Sequence, residues 1–241
     1  MTPELLARLR GAQAAKRPVV LLTRLSDGAQ SLWPDDSAPG ALSGAAEAAL
    51  RDDKAGLVQL DGERWFVHPH NPPLRLVVVG AVHVAQALAP MAAASGFEVV
   101  VVDPRGAFAT PERFPGVSLS SDWPDEALAA LALDARSAVV TLTHDPKLDD
   151  PALDVALRSP CFYIGALGSR RTHAKRVERL RELGHGDGAI ARIHAPVGLD
   201  IAAVTAPEIA LSVLAEVVAE RRGAALAKRR APSAAAAPVP A

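Results

Sequence analysis

The sequence has a single cysteine, Cys161, among 241 residues. That excludes an intramolecular disulfide framework and any zinc cluster built from cysteines alone. Aromatic residues make up 4 % of the chain, too few for the stacking platforms that single-stranded nucleic-acid binders use. Neither sign of charge is in excess: 26 Lys and Arg stand against 27 Asp and Glu, for a net charge of -1. No global field therefore draws the chain to nucleic acid or to an anionic membrane. Long apolar runs are missing as well. The most apolar stretch, near 76–102, is interrupted by His83, Gln86, Pro90 and Glu98, so it does not read as a membrane span. The opening MTPELLARLR carries charges where a secretory signal needs an apolar core. The remaining composition, 49 % hydrophobic and 22 % charged, is that of a globular protein, and the expectation is a cytoplasmic one with no nucleic-acid or membrane partner.

Two patterning regimes divide the chain. Residues 1–71 read as a small α+β domain. A helix over 3–15 is capped by Thr2 and carries Pro3 in its first turn. A strand at 19–23, a loop composition over 25–40 and an Ala-rich helix at 41–53 follow. GLVQL and ERWFV flank Asp61-Gly62, a strong hairpin signal, and HPHNPP (68–73) reads as a stiff connector. Residues 72–222 alternate strands (74–80, 98–103, 137–143, 161–165) with helices (83–95, 125–131, 151–158, 169–183, 206–222), and 190–204 reads as extended. LRLVVVG (74–80) is a nearly continuous apolar β-branched run, the signature of burial on both faces. The fold class is therefore α/β: a C-terminal Rossmann-like parallel sheet domain behind a small N-terminal α+β domain. Residues 223–241, rich in Ala and Pro, read as a disordered tail.

Four segments carry candidate chemistry. Gly80-Ala-Val-His83-Val-Ala85 joins the first parallel strand to its helix, where a Rossmann fold places its phosphate turn. Gly80 and Ala85 fit the first and third fingerprint positions, but Val82 stands where the middle glycine lets backbone approach a pyrophosphate. Asp103 ends the next strand at about the 20-residue spacing of a ribose-binding carboxylate. His83 faces the crevice either as a ligand contact or as a polar residue of the turn. In the second segment, Thr143-His144-Asp145, the residues serve acid–base or metal work, or start a helix through an Asx turn. The third is Gly165-Ala-Leu-Gly168-Ser169-Arg170-Arg171. Ser169 caps a helix whose first turn holds two arginines at the positive end of its dipole. A bound anion would offset that placement. The competing reading is a solvated basic face, Arg171, Lys175 and Arg179, paired with Glu178 and Glu182. In the fourth segment, Gly198 permits an unusual backbone conformation and Asp200 faces the cleft. Cys161 reads as a small buried hydrophobe, and His68-Pro-His70 as surface.

Five stretches occur in one order: PPLRLVVVGAVHVAQAL, VVVDPRGAFATPERFP, VVTLTHDPKLD, YIGALGSRRTHAKR and ARIHAPVGLDIAAVTAPEIALSVLAE. Together they resemble the XdhC/CoxI family, the accessory proteins of xanthine dehydrogenase and related molybdenum hydroxylases. The resemblance implies binding of the molybdenum cofactor (molybdopterin), its protection during sulfuration by a cysteine desulfurase, and its insertion into an apo molybdenum hydroxylase large subunit. It implies a maturation factor rather than a turnover enzyme, and a homodimer is compatible with it. Carried over, the family's cleft segments fall on Gly80, His83, Asp103, Arg105, Thr143, His144, Asp145, Gly165, Gly168, Ser169, Arg170, Arg171, Gly198 and Asp200, with no catalytic or metal-ligating residue. Arg105 or Arg113 would assist the 168–171 turn with the cofactor's phosphate. Two departures stand out. Val82 replaces a family glycine, and the N-terminal region looks shortened, with GALSGAAEAAL (40–50) where the family carries a glycine-rich, often cysteine-bearing loop. The alternatives are an NAD(P)-dependent oxidoreductase and a partner scaffold whose cleft is unused.

Overall fold

The computed structural model describes residues 1–224, which form two compact units, Met1–Pro72 and the chain from Pro73 onward. Most of the segment expected to be a disordered tail, residues 225–241, lies outside the described residues.

The first unit comprises α1 (Pro3–Ala14), β1 (Val19–Arg24), β2 (Gln30–Trp33), α2 (Gly40–Asp52), β3 (Gly56–Leu60) and β4 (Glu63–His70). Its strands form an antiparallel sheet in the order β2-β1-β4-β3. Thr2 caps α1 by accepting from the Leu5 N–H at 3.2 Å. The β3–β4 hairpin turns through Asp61 and Gly62 at φ 52° and 81°, the positive-φ pair that matches strand twist. Two expectations are corrected. The loop at 25–40 contains β2, paired from Val20–Trp33 to Thr23–Gln30. Four residues between turn formers carry too little periodicity to announce a strand. The connector at 68–73 begins inside β4, where His68, Pro69 and His70 pair with Leu21, Val20 and Val19. Partner strand β3 ends with Gly56 opposite Val67, so Pro69 has a strand on one side only, the edge condition that admits proline to a sheet.

The second unit comprises β5 (Leu74–Val79), α3 (His83–Ala94), β6 (Phe97–Val102), β7 (Ser118–Ser120), α4 (Pro124–Ala130), β8 (Ser137–Thr141), α5 (Pro146–Arg158), β9 (Tyr163–Ala166), α6 (Arg170–Glu182), α7 (Asp187–Ile190), β10 (Ile193–His194) and α8 (Ala206–Arg221). Six parallel strands lie in the order β10-β9-β8-β5-β6-β7, the doubly wound arrangement of a Rossmann fold. Side-chain alternation splits β5 and β6 between two cores. Leu76, Val78, Val99 and Val101 pack on α3 and α8 through Leu88, Val213 and Val217. Val77, Val79, Val100 and Val102 pack on α4, α5 and α6 through Leu128, Leu153 and Leu180. Each fully buried aliphatic side chain contributes roughly 1.5–3 kcal/mol.

Three local differences from expectation affect the second unit. Helix α5 starts at Pro146 rather than 151, so Asp149 and Asp150 are helical and buried. Pro151 lies inside the helix and, lacking an N–H, gives no bond to the turn before it. Short edge strands β7 and β10 extend the sheet. Only residues 193–194 of the expected extended stretch are strand, and α7 ends within it at Ile190.

Candidate functional site

Strand order reverses between β5 and β8, which lie side by side. The crevice beyond their carboxyl ends is where open α/β sheets take ligands. Gly80 forms its wall at φ 108°, and a Cβ there would come within 2.6 Å of Thr143 Cγ2. Glycine is thus required by conformation and by the close approach of the two turns. Val82 precedes α3 in extended conformation and packs against the core shared with α8. His83 opens α3 and is exposed.

Asp103, at the end of β6, is completely buried. Its Oδ2 accepts from the Ala81 N–H and from Arg105 Nη2, both at 2.8 Å. Its Oδ1 accepts from the Arg105 N–H at 3.0 Å and Arg105 Nε at 2.9 Å. Burial would lift this carboxyl, but the Arg105 guanidinium and the two backbone N–H groups outweigh it and hold it below the ordinary carboxylate value. All four bonds are internal. They leave Asp103 pinning the Gly80 turn to the end of β6, and they occupy the Arg105 fork, whose carbon also sits 4.6 Å over the Phe108 ring. Arg113 is likewise engaged, donating to the Phe108 carbonyl at 2.6 Å and to Gln86 Oε1 at 3.1 Å.

After β8 the chain turns at His144, an exposed residue with φ 62°. Thr143 Oγ1 accepts from the Asp145 N–H at 3.0 Å and donates to Asp149 Oδ1 at 2.6 Å. Asp145 Oδ1 accepts from the Lys147 N–H at 3.0 Å and caps α5. Thr143 and Asp145 therefore build the turn that presents His144.

The β9–α6 turn faces His144. Gly168 adopts φ 135°, and a Cβ there would lie 3.8 Å from His144 Nδ1. Ser169 Oγ accepts from the Thr172 N–H at 3.2 Å and caps α6. The two arginines that follow diverge. Arg171 lines a cavity of about 300 Å³ with His144, Thr172, Lys175, Arg176 and Arg179. Arg170 lines one of about 590 Å³ with Leu167, Val197, Gly198, Asp200 and Ile209. The expected pairing of the basic stripe with Glu178 and Glu182 is not the one found. Arg179 pairs with Asp150 of α5, because α5 lies against this face of α6. Arg176 is buried and pairs with Asp149 at 3.5 Å. Burial pushes Asp149 up and Arg176 down from their ordinary values, each partly opposed by the other's charge.

The wall of the larger cavity is set from below. Gly198 has φ 94°, and a Cβ would meet Ser212 Oγ at 2.4 Å. Its N–H donates to Glu216 Oε2 at 2.8 Å. Tyr163 Oη donates to the same oxygen at 2.5 Å. His194 Nδ1 lies 3.6 Å from Glu216 Oε1, and its ring stacks on Tyr163 at 4.6 Å. Gly165 provides room for this cluster, since a Cβ there would lie 2.6 Å from Val197 Cγ2 and 2.8 Å from Tyr163 Cε1. Burial raises Tyr163 well above its ordinary value, reinforced by Glu216. Burial opposes ionisation of Glu216 as well, yet His194, Tyr163 and the Gly198 N–H hold it low.

Of the fourteen residues singled out in the sequence, seven fall into three groups along the carboxyl edge of the sheet. His144 and Arg171 share the smaller cavity, Arg170, Gly198 and Asp200 the larger, and Asp103 and Arg105 bind each other. The sequence reading missed Arg176, Tyr163, His194 and Glu216 as site-forming residues, whereas Asp149 follows soon after the Thr143-His144-Asp145 segment it singled out. Cys161 is buried, with Sγ 2.9 Å from Ser159 Oγ, and burial raises its thiol.

This arrangement defines a Rossmann-type domain. Residues 76–217 match the family described as XdhC Rossmann domain, and the chain belongs to that family. A relative from Escherichia coli (strain K12), described as molybdenum cofactor insertion chaperone PaoD, is 38 % identical over 63 % of this chain and 41 % of its own length. A Bacillus subtilis (strain 168) relative, described as a probable subunit of xanthine dehydrogenase, is 33 % identical over 67 % of this chain and 47 % of its own. The chain therefore spans less than half the length of these relatives. A solved structure described as a xanthine dehydrogenase from Bacillus halodurans superposes on 91 % of this chain and 67 % of its own, with TM-score 0.71 and 24 % identity. It shares the fold.

Proposed function

We propose that this chain takes the molybdenum cofactor as cargo, shields it during sulfuration by a cysteine desulfurase, and delivers it to an apo molybdenum hydroxylase. It would act as a carrier rather than as a catalyst. The observation that carries this reading is the divergence of the consecutive residues Arg170 and Arg171 into two separate cavities. The cavity of Arg171 is rich in cations and that of Arg170 is lined mainly by apolar residues, two kinds of surface that an anionic group and a flat heterocyclic body would each find. The description of the Escherichia coli relative as a cofactor insertion chaperone supports the choice of cargo. His83 and His144 would face the pterin or metal side, while Gly80, Gly165, Gly168 and Gly198 would shape the cleft by letting its own turns pack closely. The saturated Asp103 carboxylate weighs against a dinucleotide, whose ribose needs that acceptor. No helix among the described residues is long and apolar enough to cross a membrane.

The test is to purify the full chain from cells making the cofactor, denature it, and analyse the released molecules by mass spectrometry and pterin fluorescence. Pterin with molybdenum is the expected result, followed by transfer to an apo-hydroxylase. Release of NAD(P) would overturn the cargo reading in favour of an oxidoreductase. Release of nothing, with no binding of added cofactor, would leave a partner scaffold.

A further inference from the structure

The smaller cavity carries more cation than its surroundings use. Arg171, Lys175, Arg176 and Arg179 all line it, together with one carboxylate, Asp149. They come from one face and the adjoining flank of α6, where residues four apart lie over one another. Asp150 is matched to Arg179 and Asp149 to Arg176. No ion pair holds Arg171 or Lys175 among the described residues, which leaves two positive charges over. The second observation concerns Arg176. Its side chain is 2 % exposed. One nitrogen, Nη2, donates to the Leu167 carbonyl at 3.0 Å, but Nε and Nη1 have no hydrogen-bond partner. Asp149 Oδ2, beside it, has none either. Buried guanidinium donors are ordinarily satisfied, and their desolvation is costly when they are not. Asp149 Oδ2 lies 3.5 Å from Nη2 and serves neither Nε nor Nη1, so Arg176 keeps two unmet donors in the wall of the cavity.

The geometry points to a phosphate-monoester subsite in this cavity, with Arg171 and Lys175 as the mobile outer cations and Arg176 as the fixed inner one. A dianion matches the surplus of two charges, and its three terminal oxygens can serve several donors at once. The subsite lies along the flank of α6, from Arg171 in its first turn to Arg179. His144, held at its rim by the left-handed turn, would contact the group that bears the phosphate. That the phosphate belongs to the cargo rests on the reading above; the subsite itself rests on the cavity.

The test is titration of the full chain with inorganic phosphate in low-salt, phosphate-free buffer, followed by calorimetry and amide NMR. Saturable binding is expected, with shifts at 143–146 and 171–179. The double variant Arg171→Ala, Lys175→Ala should weaken it by at least about tenfold, the loss of one or two charge-assisted hydrogen bonds. Arg181→Ala removes a cation from the same helix, where it pairs with Asp187, and should change affinity by less than about twofold. Arg176→Lys keeps the charge and loses the fork, and should also weaken binding. The proposal is overturned by absence of saturable binding, by equal weakening in Arg181→Ala, or by loss in Arg170→Ala with the double variant unaffected. Phosphate bound here by a chain that never retains the cofactor would uphold the subsite and overturn only the cargo reading. Cofactor retained with no phosphate bound here would do the opposite.

Discussion

Arg176 of α6 and Asp149 of α5 meet at 3.5 Å with both side chains 2 % exposed. The pair ties the middle of one helix to the first turn of the other, beneath the basic cavity. Taking one member away leaves the other charged and buried, which commonly costs about 3–5 kcal/mol. Arg176→Met should therefore destabilise the second unit by roughly that amount near neutral pH. The deficit should shrink in acid. Without its partner, the buried Asp149 carboxyl has a folded-state pKa above its unfolded value. Protonation then favours the folded form at low pH, and that help is lost as pH rises through the folded value. Urea denaturation at pH 5 and pH 8 checks this. An equal deficit at both would mean that lost packing, not an unmatched charge, is responsible.

Asp103 accepts four hydrogen bonds, one from Ala81 and three from Arg105. No acceptor position remains for a ribose. NADH fluorescence titration should accordingly show no saturable binding, whereas a Kd below about 100 µM would contradict the assignment. Asp103→Asn should cost on the order of 2 kcal/mol, since it replaces a carboxylate that a guanidinium grips at two points. The wild-type contribution is present above the unfolded carboxylate pKa and is lost as pH falls through the depressed folded value.

Gly198 and Gly184 have nearly the same backbone conformation, φ 94° and 90°, but different surroundings. A Cβ on Gly198 meets Ser212 Oγ at 2.4 Å and Val213 N at 3.1 Å, whereas one on Gly184 meets nothing within 4 Å. Gly184→Ala should cost about 1 kcal/mol, the conformational penalty alone. Gly198→Ala should cost several times more or displace the 196–203 segment, through added overpacking. Thermal denaturation orders the two variants, and hydrogen exchange at 196–203 reports the displacement. Equal costs would remove the claim that α8 braces the larger cavity.

The four central strands were readable because burial on both faces leaves only apolar β-branched runs, as in LRLVVV. Strands β7 and β10, with three and two residues, hold no pattern long enough to detect. Pro151 hid the first turn of α5, because a proline reads more readily as a helix start than as a helix interior. Helix caps were legible because they are local: Thr2 and Ser169 cap α1 and α6 as expected. The site was legible only where it is local in the same sense. The stripe of Arg171, Lys175 and Arg179 follows from helical spacing, but its acidic partners come from α5 and not from its own helix. Tyr163 and Glu216 are 53 positions apart, and nothing in the sequence near either residue announces the bond. Asp103 and Arg105 are two apart, yet the return of the guanidinium onto the carboxylate depends on the turn the chain makes beyond β6.

The cluster of His194, Glu216 and Tyr163 should give the second unit a distinctive pH profile. Contact with the Glu216 carboxylate raises the His194 imidazole above its ordinary value, against the opposing effect of burial. A base raised on folding contributes stability that is complete below its unfolded pKa and is lost as pH rises through the folded value. Glu216 is depressed, so its contribution is present above the unfolded value and is lost in acid. The two contributions coincide between about pH 4.5 and 6.5, the unfolded values of the two groups. Across the alkaline limb, from about pH 6.5 to 8, wild type should lose on the order of 1 kcal/mol relative to His194→Gln, the size of a charged hydrogen bond. Urea denaturation of both proteins at half-unit intervals measures the difference. Parallel curves would show that the His194–Glu216 pair makes no net contribution, leaving the Gly198 N–H and Tyr163 as the groups that hold Glu216 ionised.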